Sequence, residues 1–239
     1  MKKKTFKILT LLIIAILCAS VLFACNEKDS SSGAWASINE ETKPEDIKSD
    51  IVSAEEWDAY VKPLAEKTFL DILDNDNNIS SLSLRLSVNQ YGKEPMEKTG
   101  IYKCTKDVIS MSYLSQIRYI LLERSSESIK VFKVEMNEDT QKWEKEFIPT
   151  SEADFAESPF KMFSEYLTYE SYQYNEKTGA YEGIFSEYDD DNYNIRSEVR
   201  IVDHFPVYFN IWATDTNVHY TFQFYDINNT TVEVPDYEE

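Results

Sequence analysis

From residue 81 to the end of the chain, apolar and polar residues alternate in short runs. In the first run, residues 81–88, leucines and Val88 occupy every second position, with serines and Arg85 between them. A period of two is typical of a β-strand that buries one face. The same pattern predicts further strands near residues 97–104, 108–114, 117–123, 128–135, 142–148, 169–174, 180–188, 192–202, 206–214, 217–226 and 230–234.

Before this region, the pattern becomes helical. Ser53 and Glu56 are spaced as in a capping box, in which each side chain accepts a hydrogen bond from the other residue's free backbone amide. Three apolar residues then share one helical face: Trp57, Val61 and Leu64. We predict a helix that starts at Ser53 and packs by this face. Pro63 should kink or divide it, because proline has no backbone N–H.

A second helical pattern interrupts the strands near residue 158. Ser158 is a suitable N-cap, and Pro159 suits the first helical turn. The apolar residues that recur on one face are Phe160, Phe163 and Leu167. This segment is therefore predicted to form a second packing helix.

Consecutive strands without alternating helices favour an antiparallel sheet. We predict one mainly β (α+β) domain over residues 51–239, a large curved antiparallel sheet (half-barrel) with two helices packed on its concave side. The alternation is clearest in the last strands, where the inward positions include Phe209, Ile211, Phe222 and Phe224.

Residues 1–24 have the three parts of an export signal. Lysines at positions 2, 3, 4 and 7 precede an apolar run from Ile8 to Phe23, which the small residue Ala24 follows. This order is that of a secretory signal peptide. Leu22, Ala24 and Cys25 resemble the bacterial lipobox, whose Cys receives a diacylglyceryl group. The resemblance implies lipid attachment at Cys25, and a domain anchored at the cell membrane on the extracytoplasmic side. The alternative is an uncleaved N-terminal membrane helix.

Residues 25–50 show neither period. The segment combines Ser30, Ser31, Ser32 and Gly33 with mixed charge, Pro44 and scattered apolar residues. We predict a flexible tether between the anchor and the domain. The alternative is that Trp35 docks onto the domain.

Composition narrows the class of partner. The formal net charge is −19, from 43 acidic and 24 basic residues. Nucleic acid is disfavoured, because phosphate binding needs clustered Lys and Arg. Anionic lipid headgroups are also repelled, so the predicted anchor and not the protein surface must hold the chain to a membrane.

Residues with catalytic chemistry are few. Cys104 is the one thiol outside the predicted signal and anchor, and its place in a predicted strand favours an apolar filler. His204 falls at a predicted turn and His219 on the polar side of a strand, so no spacing groups them into a metal site or catalytic triad. There is no Gly-rich phosphate motif. We predict no enzyme activity, no catalytic residue, no metal and no cofactor.

The order of these features resembles bacterial lipoproteins of the LolA/LppX-like kind. The shared order is lipobox, tether, capped helix with an early Trp, and many antiparallel strands, ending in residues 218–225 and 231–235. The resemblance implies an unclosed curved sheet around helices, which in several members holds acyl chains. The residues that would line such a cavity are Phe209, Ile211, Phe222 and Phe224. The alternative is that these four residues pack against the predicted helices that contain Trp57 and Phe160.

Two functions follow as alternatives. The first is a membrane-anchored extracytoplasmic lipoprotein that binds or carries a hydrophobic, lipid-like ligand. The second is a non-enzymatic cell-surface interaction or structural module that binds protein or glycan, for which 16 tyrosines are available. A carrier predicts an internal cavity, whereas an interaction module predicts a filled core and an exposed aromatic patch.

Overall fold

Eleven antiparallel strands form one open sheet in a computed structural model that describes residues 34–74, 79–91, 96–113, 116–125, 128–149, 167–186, 194–213 and 218–238. The strands are β1 Ser81–Gln90, β2 Met96–Thr105, β3 Val108–Tyr113, β4 Gln116–Arg124, β5 Ile129–Asn137, β6 Lys142–Ile148, β7 Tyr172–Asn175, β8 Ala180–Ser186, β9 Asn194–Val202, β10 Phe205–Ala213 and β11 Val218–Tyr225. The prediction of one large, curved antiparallel sheet is confirmed.

The strand order is β6-β5-β4-β3-β2-β1-β11-β10-β9-β8-β7. Neighbours in the sheet are neighbours in sequence except where β1 pairs with β11. The chain therefore builds two meanders, β1–β6 and β7–β11, that meet at the centre of the sheet. Within the described residues β6 and β7 do not pair with each other, so the sheet is open.

The strand register separates two faces. Residues directly opposite each other in antiparallel strands point to the same side. Phe222 pairs with both Leu86 and Phe209, and we call the side that these residues share the inner face. Gln223 pairs with Arg85 and Tyr208, which lie on the outer face. The predicted alternation of apolar and polar residues thus corresponds to the two faces of the sheet.

The helix predicted from Ser53 is present. The Ser53 backbone N–H donates to the Glu56 carboxylate (2.8 Å), and the Glu56 N–H donates to the Ser53 hydroxyl (3.2 Å), which completes the capping box. The hydrogen bond from the Ser53 backbone lowers the pKa of Glu56. Helix α1, Ala54–Glu56, continues as a π-helical turn, Trp57–Val61, and a 3₁₀ turn, Lys62–Ala65.

Pro63 lies in the 3₁₀ turn of this helix, where the sequence predicts a kink. Since its nitrogen carries no hydrogen, the regular α-helical ladder cannot pass through it. We call the three consecutive segments the Trp57 helix. A shorter helix, α2 (Phe69–Asp74), follows and buries Ile72 and Leu73 in the same core. The helix predicted near Ser158 lies outside the described residues.

Residues 34–50 are not a free tether but an N-terminal strap packed on the sheet. Trp35, Ile38 and Ile47 are buried in the main hydrophobic core. The Trp35 indole N–H donates to the Val202 carbonyl (2.7 Å), and the Asp50 N–H donates to the Ile201 carbonyl (2.8 Å). The domain therefore includes residues 34–50, which corrects the boundary predicted near residue 51. The pattern misses this segment because its apolar residues dock singly and follow no helical or strand period.

Three outer-face side chains hold the strap. Arg85, Gln223 and Arg200 donate to strap carbonyls, those of Glu40 (3.3 Å), Thr42 (2.6 Å) and Ile47 (2.6 Å) respectively. Arg200 is almost fully buried, and Glu198 neutralises it at 2.7 Å. Because the strap forms little regular structure, these donors pair with backbone carbonyls that have no strand or helix partner, and the Ile47 carbonyl is the buried one.

A C-terminal strap, residues 226–238, starts beside the beginning of β1 and reaches the β6 edge. The Asn228 N–H donates to the Ser81 carbonyl (2.8 Å), and the Glu238 N–H donates to the Trp143 carbonyl (2.9 Å). The strand predicted near 230–234 is wrong: the structure has no strand there, and the strap's one ladder contact is a parallel bridge between Glu144 and Glu238. Thr230 instead uses its backbone N–H and hydroxyl to contact the hydroxyls of Ser81 and Ser83.

Trp35→Ala should lower the free energy of unfolding by about 3 kcal/mol or more, because it removes a buried ring and leaves the Val202 carbonyl without its donor. Urea unfolding followed by circular dichroism measures this change. Ile51→Ala is the control, since Ile51 is 76% exposed and its replacement should change stability by less than about 0.5 kcal/mol. Equal stability of the two variants would contradict the docked strap.

Candidate functional site

The inner face has a closed part beneath the Trp57 helix. The four residues predicted to line a cavity lie here, with exposed fractions between 0% and 5%: Phe209, Ile211, Phe222 and Phe224. They belong to the same core cluster as Trp57, and the Phe209 and Phe222 ring centroids are 6.3 Å apart. Packing as core accounts for their burial in this structure. Their role as the lining of a ligand cavity stays a prediction.

Aromatic rings surround Trp57 at one end of this closed part. Tyr169, Tyr172 and Tyr181 have ring centroids 5.7, 5.0 and 5.4 Å from that of Trp57. The Trp57 indole N–H donates to the Leu167 carbonyl (2.8 Å), and the Tyr172 hydroxyl pairs with the Ser197 hydroxyl (2.8 Å). Burial raises the pKa of Tyr172 above the usual range. The polar tips of these rings are thus paired and the rings themselves fill the core.

The inner face continues beyond the Trp57 helix as an apolar surface that is only half-buried. It consists of Leu86, Tyr102, Met111 and Tyr220, which pack against the edge of the fully buried core. Leu86 lies opposite Phe222, and Tyr102 lies between Leu84 and Met111 in the register. We call these four residues the open apolar surface. It is continuous with the core and spans β11, β1, β2 and β3.

Charged residues follow the open apolar surface on the same face. Arg118 lies opposite Met111, and it pairs with Glu135. Lys133 bridges Glu135 (2.9 Å) and Glu146 (3.1 Å), and hydrogen bonding to Glu135 raises the pKa of Lys133. The inner face therefore changes from apolar to an ion-pair network between β3 and β6. We call this network the charged rim.

An apolar surface next to a charged rim has the chemistry to hold an amphiphile. Half-buried aliphatic and aromatic side chains contact hydrocarbon, and fixed charges beside them contact a polar head. Catalytic chemistry is less well supported. Within the described ranges, no group of three or more His, Cys, Asp and Glu residues could hold a metal ion, and no helix is long and apolar enough to span a bilayer.

The histidines lie where the sequence places them. His204 is in the turn between β9 and β10, where Asp203 (φ 49°) and His204 (φ 62°) both have left-handed backbone conformations, as two-residue hairpin turns require. His219 is on the outer face of β11, opposite Trp212. Cys104 is fully buried in β2, and burial raises its pKa above the usual range. Cys25 lies outside the described residues.

Sequence reasoning missed the open apolar surface. Tyr220 belongs to the same alternating run as Phe222 and Phe224, and Leu86 to the same run as Leu84. The members of each pair differ in how deeply they are buried, which alternation does not encode. Three pockets lined by described residues include neither the open apolar surface nor the four predicted lining residues, and one of them is lined by Arg118 and Glu135 of the charged rim.

Comparisons with known proteins give distant structural likeness only. Neither a family model nor a curated protein matches the chain. Among solved structures, it is similar to a DUF1329 family protein from Desulfovibrio piger ATCC 29098, with a TM-score of 0.28 and 10% identity over 76% of this chain and 94% of that one. It is also similar to a LolA superfamily protein from Nitrosomonas europaea, with a TM-score of 0.24 and 8% identity over 77% of this chain and 96% of that one. At these scores neither likeness carries an argument about ligand or activity.

Native Cys104 should resist alkylation by iodoacetamide at pH 8, because a buried thiol with a raised pKa supplies almost no thiolate. After unfolding in urea the same residue should react fully. Peptide mass spectrometry of the full chain separates Cys104 from the other two cysteines and measures both states. Rapid labelling of the Cys104 peptide in the folded chain would show that β2 is not packed as described.

Proposed function

We propose that this chain is a membrane-anchored extracytoplasmic lipoprotein that binds a hydrophobic, lipid-like ligand on the inner face of its sheet. The observation that carries the proposal is the open apolar surface of Leu86, Tyr102, Met111 and Tyr220. These residues are half-buried, although the same face is fully buried a few residues away under the Trp57 helix. A lipid-like ligand that contacts these residues would extend the apolar core.

The free energy for binding would come from hydrocarbon burial. Each methylene removed from water contributes about 0.8 kcal/mol, so an acyl segment of about ten methylenes gains roughly 8 kcal/mol before the entropic costs of binding. The charged rim supports an amphiphile over a plain hydrocarbon, since Arg118 and Lys133 lie where the apolar surface ends. A lipid headgroup there would exchange contacts with charges that the protein already holds in place.

The anchor is the second part of the proposal. Strap residue Ala34 is fixed at the β9–β10 turn, where its backbone N–H donates to the Asp203 carboxylate (2.8 Å). With a lipid on Cys25, the chain between Cys25 and Ala34 could span at most about 30 Å, at roughly 3.3–3.6 Å per residue. The anchor would therefore keep the domain close to the membrane. The acidic surface supports this division of roles, because it gives no attraction to anionic lipid.

Cys25→Ala should accumulate as a precursor that keeps residues 1–24 and carries no lipid, because the thiol that would accept the diacylglyceryl group is gone. Radiolabelled palmitate and intact-mass measurement of the chain from a bacterial host detect the modification. Cys18→Ala is the matched control and should be processed normally. Lipid on the Cys25→Ala variant would exclude the anchor assignment without affecting the ligand proposal.

Photoactivatable palmitic acid, added to the purified full chain, should cross-link mainly to peptides that contain residues 96–113 and 218–225. Met111→Glu should reduce this labelling at least fivefold, since a carboxylate in the open apolar surface opposes hydrocarbon. Peptide mass spectrometry locates the cross-links.

The matched control is Met136→Glu, because Met136 lies opposite Trp143 on the outer face and is 40% exposed. Its labelling should equal that of the unmodified chain. Cross-links spread over both faces, or unchanged by Met111→Glu in a variant with a normal circular dichroism spectrum, would refute the inner-face ligand site.

A further inference from the structure

At the strand ends away from the straps, the described side chains of the outer face are half-buried or exposed. Five residues lie side by side there in register across five strands: Asn89, His219, Trp212, Arg196 and Ile184. The straps contact the opposite end of these strands, at residues 81–85, 200–203 and 223–226. They also contact β6 and residues 178–179 in the β7–β8 turn. This end of the outer face is therefore a separate surface, on the side of the sheet opposite the open apolar surface.

A groove of about 800 Å³ lies over this surface between β7 and β10. Its size falls in the range of small-molecule sites, roughly 300–1,000 Å³. The residues that line the groove include Gln173, Glu182, Ile184, Arg196, Glu198 and Trp212. The groove thus combines one large aromatic ring, one exposed aliphatic side chain and several planar polar groups.

The Trp212 ring is fixed before any ligand arrives. It stacks on the His219 imidazole with centroids 5.7 Å apart and an interplanar angle of 4°. The Tyr91 ring contacts His219 edge-on at 5.0 Å. Desolvation lowers the pKa of His219, which favours the neutral imidazole in this stack. A rigid indole is a platform for the C–H face of a ring-shaped ligand.

The carboxylates in the groove are also held in place. Glu182 Oε1 accepts from the Asn175 amide (3.0 Å) and the Thr178 hydroxyl (2.9 Å). Glu198 Oε1 accepts from Arg200 at 2.8 Å. The hydrogen-bond acceptors in the groove therefore have fixed positions. Ligand binding loses little side-chain entropy, because these carboxylates are already ordered.

The groove also contains hydrogen-bond donors. Arg196 and Gln173 are exposed, and the described part of the chain gives Arg196 no ion-pair partner. The Arg196 guanidinium presents parallel N–H donors to neighbouring oxygens, and the Gln173 carboxamide presents an NH₂ donor beside a carbonyl acceptor. Hydroxyl groups both donate and accept, so a ligand rich in hydroxyls satisfies carboxylates and donors together. A phosphate would be repelled by Glu182 and Glu198, and an acyl chain would leave all these polar groups unpaired.

We propose that this groove is a glycan-binding site, in which a sugar ring packs on Trp212 while its hydroxyls pair with Gln173, Glu182, Arg196 and Glu198. The site lies on the outer face and needs neither the lipid anchor nor the inner-face ligand. The chain would then bind lipid on one side of its sheet and a polysaccharide on the other.

Isothermal titration calorimetry of the full chain tests the site with cellohexaose, chitohexaose, xylohexaose and mannohexaose as probes. The detergent must carry no sugar, because maltoside headgroups would compete. At least one hexasaccharide should bind with a Kd between about 10 μM and 1 mM. Trp212→Ala should weaken that binding at least tenfold, and Gln173→Ala, at an exposed position on the β7 edge strand, about threefold or more.

Trp143→Ala is the matched control, since Trp143 lies on β6 and contacts Tyr119 instead of the groove. It should leave the affinity unchanged. The proposal is overturned if none of the four hexasaccharides binds, or if binding survives both Trp212→Ala and Gln173→Ala. Either result leaves the inner-face ligand proposal intact, because that proposal depends on the other side of the sheet.

Discussion

Hydrogen bonds from the outer face of the sheet to an irregular N-terminal strap are the constraint on which this fold depends. An open sheet of eleven strands exposes two faces, and each must be covered or polar. The outer face meets this need with Arg85, Gln223 and Arg200, which lie on three different strands and all donate to strap carbonyls. Arg200 depends most on its partners, because it is a buried charge. Glu198 neutralises it, and the carbonyls of Ile47 and Thr178 accept its hydrogen bonds.

The straps cover one end of the outer face, whereas the Trp57 helix packs on the inner face. The strap passes the end of β9 and leads into the Trp57 helix, so the same stretch of chain closes both sides at one end of the sheet. The helix is irregular: its α-helical part, Ala54–Glu56, gives way to a π-helical turn, and Pro63 lies in the 3₁₀ turn with which it ends. Among the described residues, Leu86, Met111 and Tyr220 stay half-buried beyond it. The inner face thus carries a half-buried apolar surface beside the core, and the proposed ligand site depends on this surface.

The sequence predicts the parts of this architecture that repeat. Alternation gives the strands of the sheet and the division into faces, and the Ser53–Glu56 spacing gives the helix start, because both arise from local backbone geometry. The straps do not repeat. Trp35 and Thr230 are held by single contacts with residues distant in sequence, so no period marks them. The open apolar surface is hidden for a third reason: Tyr220 and Phe222 have the same alternating pattern, although Tyr220 is half-buried and Phe222 is fully buried.

Native mass spectrometry tests whether the inner face of the sheet holds a ligand. The full chain is purified from a bacterial host and measured before and after organic extraction. We expect a mass that exceeds that of the covalently modified chain by the mass of one lipid. Extraction should remove this lipid, and incubation with membrane lipids should restore it. A mass equal to that of the modified chain alone, unchanged by such incubation, would contradict a ligand site on the inner face of the sheet.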